Sequence, residues 1–169
     1  MKSTLSNDFA VKTLLKVESQ RSQMESPSEI SRIVKVSIPS ELGYEKIPRN
    51  VANTLAQRMG FSGERIEDIM VSVAEAVTNS IQHNPSPDAG LQEVMVIFWL
   101  KARSLVIKVI DQGPPPVELP PELLELIHRR PIPPGFDPWI ISPLHYADEV
   151  KTRSSSEGNE IELTFHPGE

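Results

Sequence analysis

The chain has 169 residues, about one domain's worth, and carries 17 Lys plus Arg against 23 Asp plus Glu, a net charge of −6. A surplus of acid argues against a protein that neutralises nucleic-acid phosphates, so no direct nucleic-acid partner is expected. The sequence has no cysteine, which excludes disulfides, thiolate nucleophiles, zinc fingers and iron–sulfur clusters together.

Apolar residues make up 38% and charged residues 24%, the profile of a soluble globular domain. The longest apolar run, Val94–Leu100, is far short of the roughly 20 residues needed to span a bilayer. The first residues, MKSTLSNDFAVKTLLK, lack the apolar core of a signal peptide. A cytoplasmic protein without a membrane partner is therefore expected.

Residues 1–31 are polar without sustained periodicity and are read as a mobile arm, in which VKTLLKV (11–17) has the spacing of a short amphipathic helix. Ile33–Ile38 alternates apolar and polar residues, predicting a strand that Pro39 ends. A helix starts around Pro48, follows Val51, Leu55 and Met59, and stops at Gly60.

Ser62 is a candidate N-cap for the strongest helix, Glu64–His83. Ile66, Ile69, Met70, Val73, Val77, Ser80 and Ile81 form its apolar stripe, whereas Asp68, Ser72, Glu75, Asn79 and His83 form a polar one. The loop NPSPDAG (84–90) follows, then strands at Glu93–Leu100 and Leu105–Ile110 joined by the short link KARS.

Beyond Asp111-Gln112-Gly113 the character changes, and residues 114–138 hold most of the sixteen prolines. Long segments of this kind usually serve as lids or linkers, and a Pro-rich lid is the reading here. Trp139–Tyr146 reads as a short helix, and Asp148–Arg153 and Glu160–Phe165 as two final strands around SSSEG. Hairpins interleaved with helices predict an α+β fold: a two-layer α/β sandwich with a mixed sheet and helices on one face.

Two groups of residues carry chemistry. Glu75 and Asn79 are four apart on the strongest helix, so their side chains lie about 6 Å apart on one side of it. A carboxylate can take a proton from an attacking hydroxyl, and an asparagine carbonyl can hold a hard cation such as Mg²⁺. Polar residues at this spacing are more often a solvent face. Asp111 ends an apolar strand, where a carboxylate can accept from an exocyclic amine, and Gly113 permits close backbone approach. A plain turn has the same composition.

In combination, EAVTNSIQH (75–83), a hairpin and VIDQGPP (109–115) resemble the GHKL ATPase superfamily, and more narrowly the bacterial anti-sigma factor serine-protein kinases. The first string is similar to that family's N box, Glu-Ala-x-x-Asn-x-x-x-His, and the second to its G1 box. The tail YADEVKTRSSSEGNEIELTF resembles its last two strands. The likeness spans about residues 33–166, implying a histidine-kinase-like ATPase domain over 32–169.

The resemblance implies Mg·ATP as cofactor. Glu75 would be the catalytic base for a substrate serine and Asn79 the Mg²⁺ ligand. His83, the last N-box position, would border the nucleotide. Asp111 would accept from the adenine amino group, and Gly113 would let the ring pass close to the backbone. Phosphoryl transfer depends chiefly on positioning and charge neutralisation, so such a set can suffice.

Gly135-Phe136-Asp137-Pro138-Trp139-Ile140-Ile141 aligns with the family's third motif, Gly-x-Gly-Leu, whose amides cradle the phosphates. Gly135 is retained for that cradle. Asp137 replaces the second glycine, and a unit charge about 5 Å from phosphate at an effective dielectric of 20 is repelled by roughly 3 kcal/mol. Pro138 has no N–H to donate. Asp137 as a Mg²⁺ ligand, or Arg129 and Arg130 as phosphate contacts, would compensate; the arginine pair also suits a solvated helix end. Where the family has a threonine supporting the adenine-binding Asp, this sequence has Asn159 and Glu160. Asn159 can replace it, whereas Glu160 would be a poor neighbour for Asp111.

Two functional expectations follow from the resemblance. The first is an anti-sigma regulatory factor and ATP-dependent serine-protein kinase. It would bind a sigma factor or a STAS-domain anti-anti-sigma protein, phosphorylate a serine of the latter, and regulate transcription by partner switching. The second is a non-catalytic module of the same fold that sequesters a regulatory protein without turnover; a third partner class, such as a phosphatase, stays open because fold does not fix function. The family also forms homodimers, and an edge strand at Ile33–Ile38 would permit one. The four histidines show no metal-ligand spacing, no Walker or GxSxG motif occurs, and no histidine precedes the N box in the sequence.

Overall fold

A computed structural model describes residues 9, 11–19, 32–82, 92–114 and 146–168. Its elements are a helix over residues 11–19 (α1), β1 Arg32–Pro39, α2 Lys46–Arg58, α3 Gly63–Gln82, β2 Glu93–Leu100, β3 Leu105–Asp111, β4 Glu149–Ser155 and β5 Gly158–Phe165. Strand and helix periodicity placed all of these to within a few residues. The lid beyond Pro114, the loop 84–90 and all but the last residue of the expected helix Trp139–Tyr146 lie outside the described residues.

Local chemistry sets the helix ends. At the end of α2, Gly60 adopts φ +79°, Gly60 N–H donates to Gln57 O (3.1 Å) and Phe61 N–H to Ala56 O (3.1 Å). This paired closure needs a left-handed residue, which glycine supplies without Cβ strain. Phe61 then turns inward and is buried. The Ser62 hydroxyl accepts from Arg65 N–H at 3.3 Å and so starts α3 as an N-cap does.

The strands form one sheet in the order β1-β2-β3-β5-β4. All its pairings are antiparallel, where a mixed sheet was expected. The difference has a simple cause. β5 rather than β4 returns beside β3, so β4 becomes the outer strand of a terminal hairpin and no parallel pairing arises among the described residues.

One face carries the main core. Ile38, Val94, Val96, Phe98, Leu105, Ile107, Val109, Leu163 and Phe165 pack against Ala52, Leu55 and Ala56 of α2 and Ile69, Val73, Ala76, Val77 and Ile81 of α3. Alternation sends Met95, Ile97, Trp99, Val106 and Ile110 to the other face. Expecting helices on one face only is corrected here. α1, within the stretch read as a mobile arm, lies on this second face, with Val17 buried and Phe9 and Leu14 packed against the same cluster. An apolar outer face on β2 and β3 demands a cover, and the 11–17 periodicity supplies one.

Lys108 also points to this second face. Its Nζ lies 3.2 Å from Glu160 and 3.1 Å from Glu162, and 5.2 Å from the centre of the Trp99 ring. Glu160 is therefore on the opposite face of the sheet from the strand-end position of Asp111, not beside its carboxylate. The period-2 alternation of β5 separates Glu160 from Asn159, and Lys108 compensates its charge.

Candidate functional site

Asp111 is the last residue of β3 and is buried, on the side of the sheet that carries Leu105, Ile107 and Val109. Its Oδ1 accepts from Gly113 N–H at 2.8 Å, closing a two-residue Asx turn that directs the chain out of the strand. The same oxygen accepts from Asn159 Nδ2 at 3.1 Å. Asn159 sits directly opposite Asp111 in the β3–β5 register. Its amide also donates to Gly113 O (3.3 Å) and Pro114 O (2.8 Å).

Two amide hydrogens thus serve three acceptors, and one is shared. The arrangement fixes the Asp111 carboxylate and the path of residues 111–114 together. Both bonds go to Oδ1, so Oδ2 is left without a hydrogen-bond partner among the described residues. A buried carboxylate with one oxygen pinned and one open is suited to accept from an amine.

Gly158 supports the arrangement from below. It adopts φ +137°, and a Cβ built on it would overlap the Asp111 carbonyl oxygen. Only glycine combines that backbone angle with so close an approach. The tight turn between β4 and β5 is completed by Glu157 N–H donating to Ser155 Oγ at 3.1 Å and by Ser154 Oγ donating to Asn159 Oδ1 at 2.9 Å. Asn159 is therefore held on its oxygen side while its nitrogen side holds Asp111.

Glu75 and Asn79 lie on α3, both half-buried, on the flank of the stripe formed by Ile69, Ser72, Val73, Ala76, Val77 and Ser80. Their four-residue separation keeps them on the same flank, and α3 packs across β2 and β3. Ser72, assigned to the polar stripe, is buried, and its hydroxyl donates to Asp68 O at 2.8 Å, which satisfies it within the helix. His83 and Gly135 lie outside the described residues, as do Arg129, Arg130, Asp137 and Pro138. The structure brings Asp111, Gly113 and Asn159 into one hydrogen-bonded group and sets Glu75 and Asn79 side by side on the helix above the sheet.

Sequence reasoning missed two supports. Arg65, at the start of α3, donates to Tyr146 O at 2.7 Å, pairs with Asp148 and with Asp68 (3.4 Å), and lies 5.3 Å over the Phe165 ring. Asp148 in turn accepts from His166 N–H at 2.7 Å. This clasp fixes where the chain re-enters the sheet, and no spacing rule reveals it, because Tyr146 and Asp148 lie 81 and 83 positions from Arg65 in sequence. Gly158 carried a faint signal, a glycine after SSSE between two strand patterns.

The histidine kinase-like ATPase domain family matches residues 38–165, well over half of the sequence. Two curated relatives are the serine-protein kinase RsbW of Bacillus thuringiensis (strain Al Hakam) and that of Bacillus anthracis. Each is 36% identical over 80 residues, covering 47% of this chain and 49% of the relative. The match thus spans about half the length of these relatives. Among solved structures, the RsbU and RsbW domains of Rv1364c from Mycobacterium tuberculosis align with a TM-score of 0.59 at 15% identity, over 80% of this chain and 32% of that one, a likeness of fold. The chain belongs to the histidine kinase-like ATPase domain family and, within it, is similar to the RsbW serine-protein kinases.

Proposed function

We propose that this protein is an anti-sigma regulatory factor that binds Mg·ATP and phosphorylates a serine of a STAS-domain anti-anti-sigma partner. The observation that carries the reading is the Asp111–Asn159–Gly113 group. It supplies a buried carboxylate oriented by two donors, with its second oxygen open to an exocyclic amine. Those residues fit an adenine.

In this reading Asp111 accepts from the adenine amino group, and Gly113 keeps the adjoining backbone low enough for the ring. Asn79 would hold Mg²⁺ through its carbonyl oxygen, and His83 and Gly135 are assigned to the nucleotide by their motif positions in the sequence. Bound Mg·ATP supplies the transferable phosphoryl group and the charge that neutralises it. The Glu75 carboxylate would take the proton of the incoming serine hydroxyl, while bound Mg·ATP would supply the phosphoryl group and leave as ADP. Phosphorylation releases the anti-anti-sigma partner and returns the protein to its sigma factor. The edge position of β1 offers a route to a homodimer. Among the described residues no helix is long and apolar enough to cross a membrane.

A second reading is favoured by one feature of the sequence, Asp137-Pro138 where two backbone donors would cradle phosphate. Here the same fold sequesters a regulatory protein without turnover. Isothermal titration of Mg·ATP into wild type, Asn79→Ala and Asp111→Ala separates the two. Micromolar binding that both substitutions abolish, with phosphate transfer to a STAS-domain serine, supports the kinase. Absence of heat from the folded wild type supports the binding module.

A further inference from the structure

The outer face of the sheet differs from an ordinary core. Beside Met95, Ile97, Val106 and Ile110 it carries the charged Lys108 and the Trp99 indole, whose Nε1–H is buried and has no hydrogen-bond partner among the described residues. A permanently closed face rarely keeps a donor unsatisfied, because water meets that need whenever the cover is away.

The cover is one short helix. Phe9, and on α1 Thr13 and Val17, face the sheet at i, i+4 and i+8, and Glu18 lies 3.6 Å from Lys35 in an ion pair with both partners partly in water. Its opposite side exposes Val11 and Leu15. A cleft of about 590 Å³ stays open between α1 and the β4–β5 turn, bordered by Thr13, Lys16, Ile110, Arg153 and Ser155. A helix this short is marginal on its own, so its helicity and its seating form one transition.

We propose that the outer face of the sheet is a docking site for an amphipathic helix, and that α1 fills it in cis as a releasable strap. The occupant's chemistry is read from α1: apolar or small residues at i, i+4 and i+8 against Trp99, Ile97 and Ile110, and a carboxylate one position beyond for Lys35. Release restores water to Trp99 Nε1 while leaving the helix-covered face and its core intact.

The test uses the full chain with Trp139→Phe, so that Trp99 is the single tryptophan. In this background Val17→Asp unseats the strap, and acrylamide quenching of Trp99 rises about threefold with unchanged far-ultraviolet dichroism from the sheet. A synthetic peptide of residues 6–20 added in trans returns the quenching to its starting value, and the same peptide carrying Val17→Asp does not. Hydrogen exchange on the wild type needs no variant: amides of residues 11–19 exchange on the order of 100-fold faster than those of β2 and β3. The proposal is overturned if α1 amides are as protected as β2 and β3, if Val17→Asp unfolds the whole domain or leaves quenching unchanged, or if the peptide has no effect.

Discussion

Asn159 donates from Nδ2 to Asp111 Oδ1 across the β3–β5 pair, and with the same amide it holds the carbonyls of Gly113 and Pro114. One side chain therefore sets both the orientation of the candidate adenine acceptor and the exit of the chain beside it. Asn159→Ala leaves Oδ1 with the Gly113 amide alone, and about a tenfold loss of nucleotide affinity is expected, the worth of one hydrogen bond to a charged group. Asn159→Asp sets a second carboxylate against Asp111 and is expected to bind more weakly still. Titration calorimetry on both variants reads the effect, and an Asn159→Asp protein that binds like wild type would remove Asn159 from the site.

Gly158 is the backbone counterpart of that contact. Gly158→Ala requires a Cβ at φ +137° and against the Asp111 carbonyl oxygen. Strain at such a position costs more than about 1 kcal/mol. Here the Asp111 backbone must also move. Urea unfolding should show the loss of stability, and nucleotide affinity should fall with it. An alanine variant of unchanged midpoint and affinity would mean that the turn relaxes without disturbing β3.

Lys108 holds two carboxylates on the outer face of the sheet. Burial raises the pKa of Glu162, but the hydrogen bond and charge of Lys108, aided by Lys151, outweigh this and hold it below the ordinary glutamate value near 4.5. A lowered folded value means that Glu162 contributes stability above the ordinary value and loses it as pH falls through the folded one. Lys108→Met leaves Glu160 without its lysine, next to Glu162 on the same face of β5, and leaves Glu162 with Lys151 alone at 3.5 Å; a loss of about 3 kcal/mol is expected near neutral pH. The variant's carboxylates then prefer their protons, so the gap from wild type should narrow on acidification. Denaturation at about pH 7 and about pH 4 checks the sign. A gap that widens in acid would contradict it.

Much of this was legible in the sequence, for physical reasons that differ by element. The alternation in IVKVSI and the stripe Ile69, Val73, Val77 and Ile81 are local records of a buried face, so β1 and α3 could be placed without tertiary knowledge. The partnership of Asp111 with position 159 was legible only as far as the motif order placed the last strand beside it. The all-antiparallel sheet was not, because which strand of the last hairpin returns to β3 is a choice of long-range pairing that alternation leaves open. Lys108 inside LVIKVI was a visible anomaly, and its explanation sat in Glu160 and Glu162 on another strand. α1 was read as part of an arm because a short helix owes its stability to what it docks on, here a sheet face made of residues distant in sequence.

Arg65 joins the start of α3 to the point where the chain returns to the sheet. Its guanidinium bonds the Tyr146 carbonyl and the Asp148 carboxylate and covers the Phe165 ring, with only 18% of its side chain exposed. Removing it leaves a half-buried carbonyl and Asp148 without that donor, so Arg65→Ala should cost about 2 kcal/mol, the scale for hydrogen bonds to charged groups. Lysine has the charge but not the planar fork that reaches both oxygens while lying over a ring, so Arg65→Lys should restore only a small part. Hydrogen exchange localises the effect. Amides of residues 146–149 and His166 should lose protection first, while β2 and the α2–α3 contacts keep theirs. Uniform loss across the domain would instead make Arg65 a contributor to global stability and not a clasp on the returning strand.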